Sequence, residues 1–199
     1  MNKNSESSVF DVHGNRKYLT ASERNAFLEA AAKDAPEVMT FCTVLAYTGA
    51  RLSEVLALTP ARIDHVSSLI VFESLKKRRK GLYRAVPVPL DVLLALDKFH
   101  NIQKRQLRKC DRDIRIWTWC RTTAWSRVKA VMAAAGVSGI QASPKGLRHS
   151  LGVSAIQAGV PLNLVQRWLG HSQLSTTAIY ANATGPEELS IAGRFWQGF

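Results

Sequence analysis

The sequence predicts a mainly α-helical domain with one small antiparallel β-sheet, an α+β architecture. Three observations support this prediction. Apolar residues recur at helical spacing over most of the chain. Two short runs rich in β-branched and aromatic residues, 68–74 and 83–88, flank a basic turn in the middle of the chain. Glycines then divide the last third into short helical pieces.

Composition sets the first limits on function. The chain has 199 residues, which suits a single domain, and a net charge of +12, which favours a polyanionic partner such as nucleic acid. Charge alone does not separate DNA from RNA or an anionic membrane surface. The 3 cysteines lack a CxxC spacing, which argues against a disulfide scaffold and a zinc site. No signal peptide or membrane span is evident, so we expect a reducing cytoplasm.

The residue pattern of the first half of the chain predicts a polar leader and three helices. Residues 1–18 form the leader, and Thr20-Ala21-Ser22-Glu23 is a capping box that starts a helix near residue 21. A second helix follows Pro36, and Thr48-Gly49 ends it. A short third helix covers 53–58 and stops before the next proline. The two strands named above follow it, the second near a sheet edge because it contains a proline.

The second half predicts helices and one more strand. A long helix is predicted over 91–108, where apolar residues recur at helical spacing, and a third short strand over 115–119. Further helices are predicted between the glycines that punctuate the remaining sequence: 122–135, 147–158, 161–169, 174–182 and a tail helix at about 186–197.

Four residues distributed along the chain have side chains suited to a phosphodiester. Arg51 and Arg148 are permanently charged, and a guanidinium grips phosphate oxygens with a planar fork of donors. His171 can hold a phosphate oxygen, and the hydroxyl of Tyr180 can attack phosphorus. Phosphoryl transfer mainly needs positioning and charge that stabilises the transition state. These residues therefore indicate that a nucleic-acid backbone is cut and rejoined through a covalent phosphotyrosine.

Three sequence blocks around these residues resemble those of the tyrosine recombinase (phage integrase) family. The blocks are Thr48-Gly49-Ala50-Arg51-Leu52-Ser53-Glu54, Lys145-Gly146-Leu147-Arg148-His149-Ser150, and Leu169-Gly170-His171-Ser172 followed by Thr176-Thr177-Ala178-Ile179-Tyr180. Their order and spacing match the family, and the resemblance extends from about Leu19 to Tyr180. It implies the fold of the family's catalytic domain.

The resemblance also implies a role for each residue. Arg51 and Arg148 would clamp the phosphate, and His171 would donate a hydrogen bond to a non-bridging oxygen. Tyr180 would be the nucleophile and would leave a 3′-phosphotyrosyl bond and a free 5′-hydroxyl. The covalent intermediate retains the bond energy, so no ATP, metal or other cofactor is expected. Glu54 lies three residues after Arg51, close enough on a helix to orient it.

The resemblance places the general acid for the leaving 5′-oxygen on the basic turn between the first two strands. Lys76 is the best match because it follows the strand directly, and Lys77 is the next candidate. The remaining basic residues of the turn are expected to contact DNA phosphates, together with Lys77: Arg78, Arg79 and Lys80. Each such contact would increase the salt sensitivity of binding.

Lys145 departs from the family pattern, which usually has a histidine three positions before the second arginine. A lysine can donate a hydrogen bond to phosphate. A lysine acts as an acid or base near neutral pH only where burial lowers its pKa, so a base role at this position would require a buried side chain. The neighbouring His149 is expected to pack or cap a helix rather than to take part in catalysis.

Domain organisation and partners follow from the same resemblance. Residues 19–199 are expected to form one catalytic domain, which would leave no room for a separate N-terminal domain that clamps DNA, although a fragment of a larger integrase is equally compatible. The tail helix would pack on a neighbouring protomer or on its own domain. Duplex DNA is the expected partner, bound by a homodimer that assembles into a tetramer. Accessory DNA-bending proteins or a second recombinase would assist, on the nucleoid of a prokaryote or phage and away from membranes.

The main hypothesis is a site-specific DNA recombinase that integrates, excises or inverts DNA. A type IB topoisomerase, which relaxes supercoils with the same chemistry, is the first alternative. A non-catalytic DNA-binding regulator with the same fold is the second, and the lysine at position 145 is the feature that favours it. An RNA-binding module would need exposed aromatic residues on a sheet, which the short predicted sheet does not offer.

Overall fold

The fold is mostly helical with one three-stranded antiparallel sheet, so the predicted architecture is confirmed. The computed structural model describes residues 8–74, 81–181, 192–193 and 195–197. Within these ranges, no helix combines the length and apolar character needed to pass through a bilayer.

The first three helices of the described chain are α1 (Ala21–Ala32), α2 (Pro36–Thr48) and α3 (Leu52–Leu56). α1 begins at the predicted capping box, because Thr20 and Glu23 each accept a hydrogen bond from the other's backbone N–H. Gly49 ends α2 with a φ of 58°, a left-handed conformation that glycine adopts without strain. Both predicted helix boundaries are confirmed.

The sheet has the order β1–β2–β3, with β1 (Ile63–Asp64), β2 (Leu69–Glu73) and β3 (Tyr83–Pro87). β2 and β3 are the two predicted hairpin strands, in antiparallel register with Ile70 opposite Val86 and Phe72 opposite Arg84. Because side chains alternate along a strand, these four buried residues share one face of the sheet. β3 is an edge strand. Proline lacks the N–H that pairing with a further strand would need, so Pro87 is tolerated at the edge.

The helices that follow the sheet in the described chain are α4 (Leu90–His100), α5 (Ile102–Gln106), α6 (Arg121–Ala134), α7 (Pro144–Gln157), α8 (Leu162–Leu169) and α9 (Ser175–Ala178). α2 packs against α1, α4 and α7, which buries most of its length. α8 packs on both α7 and β3. The ends of α7, α8 and the sheet therefore come close to the turn that follows α2.

The predicted long helix over 91–108 is wrong in one respect, because the chain forms two helices there. Asn101 separates α4 from α5 and has a φ of 52°. Asparagine tolerates this left-handed conformation better than most residues. The carboxylate of Asp97 accepts a hydrogen bond from the backbone N–H of Gln103 at 2.8 Å, which stabilises the turn between the helices.

The predicted third strand at 115–119 is also wrong. This segment has no regular secondary structure, and the third strand of the sheet is the two-residue β1. The aromatic residues that suggested a strand pack in or against the core instead. Trp117 is buried with its ring centroid 5.2 Å from that of Phe41, and its indole N–H donates to the carbonyl of Glu37 at 3.0 Å.

The predicted boundaries of two later helices need correction. α7 begins at Pro144 rather than near residue 147, because Ser143 caps it by accepting a hydrogen bond from the N–H of Gly146. A Cβ on Gly146 would lie 1.8 Å from the carbonyl oxygen of Gln141, so glycine permits this close approach. The helix predicted over 174–182 is shorter, since α9 ends at Ala178 and a turn follows it.

The end of the predicted leader packs against the rest of the fold. An isolated β-bridge joins Phe10 to Arg16 and closes a turn, on either side of which Val9 and Tyr18 are buried. Both belong to a small cluster of buried apolar residues that we call the second core: Val9, Tyr18, Val153, Ala155, Val165, Leu169, Ile179 and Tyr180. The N-terminal turn thus lies in the same cluster as the tyrosine near the C-terminus.

The predicted tail helix lies mostly outside the described residues. Residues 192, 193, 195 and 196 have helical backbone conformation, and the side chains of Phe195 and Trp196 are exposed.

Candidate active site

One cavity of about 570 Å³ gathers residues that are far apart in the sequence. Predicted site residues that line it are Arg51, Lys145, Arg148, His171 and Tyr180. They come from the turn before α3, the first half of α7, the turn after α8 and the turn after α9. The packing of α7 against α2 and α8 brings these segments together.

Arg51 is oriented by Glu54, as the three-residue spacing predicted. Its Nη1 donates to Oε1 of Glu54 at 2.6 Å, and its backbone N–H donates to Oε2 at 2.8 Å. Oε2 also accepts a hydrogen bond from Nη2 of Arg84 at 2.6 Å. Burial alone would raise the pKa of Glu54, but the hydrogen bonds and charges of Arg84 and Arg51 outweigh burial and lower it. One ionised carboxylate therefore holds two guanidinium groups.

Arg84 was not predicted as a site residue, although it connects the sheet to the cavity. Its Nε donates to the carbonyl of Trp168 at 2.7 Å, just before the turn that contains His171. Its guanidinium carbon also lies 5.1 Å from the ring centroid of Phe72. Because Arg84 lies on a strand without a recognisable site motif, no local sequence signal marked it as a site residue. Its contacts fix the position of β3 relative to α3 and α8.

Arg148 is buried and links two of the other site segments. Its Nη1 donates to the carbonyl of Gly49 at 2.7 Å, and its Nη2 donates to the carbonyl of Leu169 at 2.6 Å. Burial, followed by the charge of Arg51, lowers the pKa of Arg148 to about 10, so the guanidinium remains charged near neutral pH. Arg148 therefore positions the turns that carry Arg51 and His171, in addition to lining the cavity with its own charge.

His171 lies directly after Gly170, which ends α8 in a left-handed conformation with a φ of 66°. Its Nδ1 is 2.9 Å from the hydroxyl of the buried Thr177. Burial, together with the positive charges of Arg148 and Arg51, lowers the pKa of His171 to about 3. The imidazole is therefore neutral, and Thr177 restricts its orientation.

Tyr180 is buried with its ring stacked 6.2 Å from the ring of His171. Its close contact with α7 requires a glycine, because a Cβ on Gly152 would lie 2.5 Å from Cε2 of the tyrosine. Burial raises the pKa of Tyr180 to about 12, although Arg148 and Arg51 act in the opposite direction. In this structure burial therefore outweighs the field of the two arginines at the phenol.

His149 lies inside α7 and contacts the tyrosine directly. Its Nδ1 is 3.1 Å from the hydroxyl oxygen of Tyr180, and the two rings meet edge to face at 5.7 Å. Burial, followed by the charges of Lys145 and Arg148, lowers the pKa of His149 to about 4. The sequence predicted a packing or capping residue here. Its contact with Tyr180 was missed because it depends on how the last helices fold back over α7.

Two further basic residues line the cavity. Lys145 is exposed, so the burial that an acid–base role would require is absent. Arg121, the first residue of α6, also lines the cavity and is exposed. Both place positive charge at the exposed side of the site.

The predicted general acid Lys76 lies outside the described residues, as do the predicted DNA contacts: Lys77, Arg78, Arg79 and Lys80. The strands on either side of them are described. The β2–β3 pairing extends to Glu73 opposite Tyr83, and the backbone N–H of Ser74 donates to the carbonyl of Leu82 at 2.8 Å.

The cavity combines positive charge, a neutral imidazole and a hydroxyl group around one space. Such a set can bind a phosphodiester, neutralise its developing charge and attack its phosphorus. Among the residues that the structure describes, no three His, Cys, Asp or Glu side chains are grouped so that they could hold a metal ion.

Comparison with protein families gives a match to the phage integrase family over residues 17–186. The tyrosine recombinase XerD of Mycobacterium tuberculosis is 30% identical to this chain over 183 residues. That match covers 84% of this chain but 57% of the XerD sequence, so the chain spans little more than half the length of this relative.

Two solved structures share the fold. The crystal structure of XerA recombinase matches with a TM-score of 0.75 and 24% identity, over 89% of this chain and 64% of XerA. The XerH site-specific recombinase, in a post-cleavage complex with a palindromic difH substrate, matches with a TM-score of 0.72 and 22% identity. That match covers 99% of this chain and 58% of XerH.

Proposed function

Because this chain belongs to the phage integrase family, we propose that it is a site-specific DNA recombinase that cuts and rejoins duplex DNA through a phosphotyrosine. One observation carries the proposal: Arg51, Arg148, His171 and Tyr180 line a single cavity. The net charge of +12 is consistent with a nucleic-acid partner.

The arginines and the histidine would stabilise the pentavalent phosphorus. Arg51 and Arg148 would neutralise the non-bridging oxygens, and their positions are held by Glu54 and by backbone carbonyls. When the hydroxyl of Thr177 donates to Nδ1 of His171, the proton of the neutral ring is on Nε2. Nε2 then donates a third hydrogen bond to the phosphate without adding a charge.

Tyr180 would be the nucleophile. Its oxygen forms a bond to phosphorus as its proton passes to a base within the site, and the bond from phosphorus to the 5′-oxygen breaks. The 5′-oxygen receives a proton from a lysine of the basic turn, for which Lys76 is the first candidate and Lys77 the second. The reverse reaction, with a 5′-hydroxyl from the partner strand, completes strand exchange and restores every group.

We further propose that the protein binds duplex DNA with Lys77, Arg78, Arg79 and Lys80, and that Lys145 supports the phosphate. Recombination needs a homodimer on two half-sites and a tetramer on two sites, assisted by accessory DNA-bending proteins or a second recombinase. The protein would act at the nucleoid of a prokaryotic cell or phage host. The XerH structure in complex with its DNA substrate supports duplex DNA as the partner.

The experiment uses the full chain and genomic DNA from its source organism, sheared and lightly nicked. A nick close to the cleavage site lets the short 5′-hydroxyl strand dissociate, which traps the covalent intermediate. Denatured protein is then recovered and the attached DNA is sequenced. We expect DNA linked to Tyr180 through its 3′ end, at one recurring sequence with inverted half-sites.

Two variants make the result specific. Tyr180→Phe should give no adduct, whereas Tyr83→Phe, which alters an exposed tyrosine on β3, should behave like the wild type. Absence of any adduct that depends on Tyr180 would refute the proposed function. Adducts scattered without sequence preference would instead support the topoisomerase alternative.

A further inference from the structure

Among the described residues, the hydroxyl of Tyr180 has one hydrogen-bond partner, which is His149. Nδ1 of His149 lies 3.1 Å from the tyrosine oxygen. Nε2 of the same ring is buried and has no hydrogen-bond partner among the described residues. Only Nδ1 therefore engages the tyrosine, from within a well-packed helix.

The direction of this hydrogen bond follows from the charge of the ring. Burial and three cations, Lys145, Arg148 and Lys17, disfavour the imidazolium form. A neutral ring that accepts at Nδ1 carries its proton on Nε2, and the tyrosine O–H then donates to Nδ1. The resting structure therefore already holds the phenolic proton in line with a nitrogen lone pair.

The other groups around the cavity are poorly placed to accept this proton. Lys145 is exposed, and an ammonium group donates hydrogen bonds but has no lone pair to accept one. Nδ1 of His171 is occupied by Thr177, and its ring stacks on the tyrosine ring instead of meeting its hydroxyl. The carboxylate of Glu54 is held by two arginines.

We propose that His149 is the general base that accepts the proton of Tyr180 during DNA cleavage. The proposal rests on the proposed recombinase function and adds a catalytic residue to it. As the tyrosine oxygen bonds to phosphorus, its proton moves to Nδ1 of His149, and a lysine of the basic turn protonates the leaving 5′-oxygen. Rejoining returns the proton from His149 to the tyrosine oxygen.

Binding of DNA would make His149 a stronger base. In the free protein an imidazolium would lie among Lys145 and Arg148 on α7 and Lys17 in the N-terminal turn, near the neutral His171 and Tyr180. A bound phosphodiester brings negative charge beside Arg148 and reduces that repulsion. The nucleophile therefore becomes activated only when its substrate is present.

The test measures the rate at which the covalent adduct forms, in a single turnover, on a nicked duplex that carries the captured site. His149→Gln keeps a side chain able to accept a hydrogen bond but removes the base. We expect it to react about 10²-fold to 10⁴-fold more slowly near neutral pH, the usual contribution of a general base. His13→Gln, which alters an exposed histidine in the N-terminal turn, should react at the wild-type rate.

The pH profile separates a base from a packing residue. Without the base, reaction depends on the small fraction of ionised tyrosine, so the rate of His149→Gln should rise about tenfold per pH unit between pH 6 and 9. The wild-type rate should rise less and level off. A variant that lowers the rate by one constant factor at every pH, or that reacts at the wild-type rate or faster, would overturn the proposal.

The wild type distinguishes this inference from the function on which it depends. If the wild type forms no adduct through Tyr180, the recombinase function fails and the inference fails with it. The wild type could instead form the adduct while His149→Gln reacts at the wild-type rate or faster, or more slowly by the same factor at every pH. In that case the function stands and the inference alone is wrong. A gel-shift measurement on both proteins verifies that DNA binding and folding are retained.

Discussion

Glu54 and Arg84 form a buried ion pair between α3 and β3, with Nη2 of the arginine 2.6 Å from Oε2 of the carboxylate. Neither side chain has more than 6% of its surface exposed. The same carboxylate holds Arg51 at 2.6 Å. The position of Arg51, the first proposed phosphate clamp, is thus linked to the sheet through Glu54. Neutralising Glu54 should therefore affect both the stability of the protein and the proposed DNA cleavage.

Glu54→Gln should destabilise the protein strongly. The substitution leaves the buried guanidinium of Arg84 without a counter-charge, and removal of one partner of a buried pair typically costs about 3–5 kcal/mol. Urea unfolding followed by circular dichroism measures this loss. Glu29→Gln, on the exposed face of α1, is the matched control and should change stability by less than about 0.5 kcal/mol. Equal stability of the two variants would contradict the prediction.

Gly152→Ala should reduce cleavage even though alanine is the better helix former. Alanine favours a helix by about 1 kcal/mol over glycine. Its Cβ, however, would lie 2.5 Å from the ring of Tyr180, and such overpacking costs about 1–3 kcal/mol. We expect the displaced ring to lower the rate of adduct formation about 10²-fold. Ser154→Ala, two residues further along α7, serves as the control, and an unchanged rate in Gly152→Ala would count against the predicted clash.

Thr177→Val should weaken cleavage through His171. Valine keeps the size of the side chain but removes the hydroxyl that lies 2.9 Å from Nδ1 of the histidine. A lost hydrogen bond of about 1 kcal/mol corresponds to roughly a fivefold slower reaction. Single-turnover adduct formation measures it, with the exposed Thr118→Val as the comparison. The idea fails if both valine variants react at the same rate.

Acid should destabilise the protein partly through Glu23. The hydrogen bond from Arg16 is the largest cause that lowers the pKa of Glu23 from 4.5 to about 2, against the opposing effect of burial. A carboxyl whose pKa is lower in the folded state stabilises that state above its unfolded pKa, and the contribution is lost as the pH falls through the folded pKa. The free energy of unfolding should therefore decline between pH 4.5 and pH 2.

Glu23→Gln checks this assignment. The variant lacks the titrating group, so its unfolding free energy should fall less steeply than that of the wild type over the same pH range. Chemical denaturation at several pH values gives both slopes. Parallel slopes would mean that other carboxyl groups account for the acid sensitivity.

Local sequence signals predicted much of the fold. The capping box at Thr20 and the glycine at position 49 each fix a helix boundary through the chemistry of one or two residues. The β2–β3 strands were equally evident, since alternation and a polar turn depend on near neighbours. Family resemblance singled out Arg51, Arg148, His171 and Tyr180, and their roles stay predictions.

Features that depend on tertiary contacts could not be predicted in this way. The segment 115–119 has the composition of a strand, but Trp117 packs its ring against Phe41 in the core and the segment pairs with no strand of the described sheet. Asn101 interrupts a helical pattern whose apolar residues continue on both sides. The contact of His149 with Tyr180 joins residues that are 31 positions apart and depends on the turns between them.

The second core has a practical consequence for protein engineering. Val9 and Tyr18 share this cluster with Ile179 and Tyr180, so the first described turn of the chain helps to enclose Tyr180, the proposed nucleophile. A version trimmed to start at Leu19 would keep every residue that lines the reaction cavity and would still lose part of that enclosure. The Tyr180 side chain should become more accessible to iodination or nitration, and a bulky tag inserted within this turn should disturb the packing around Tyr180.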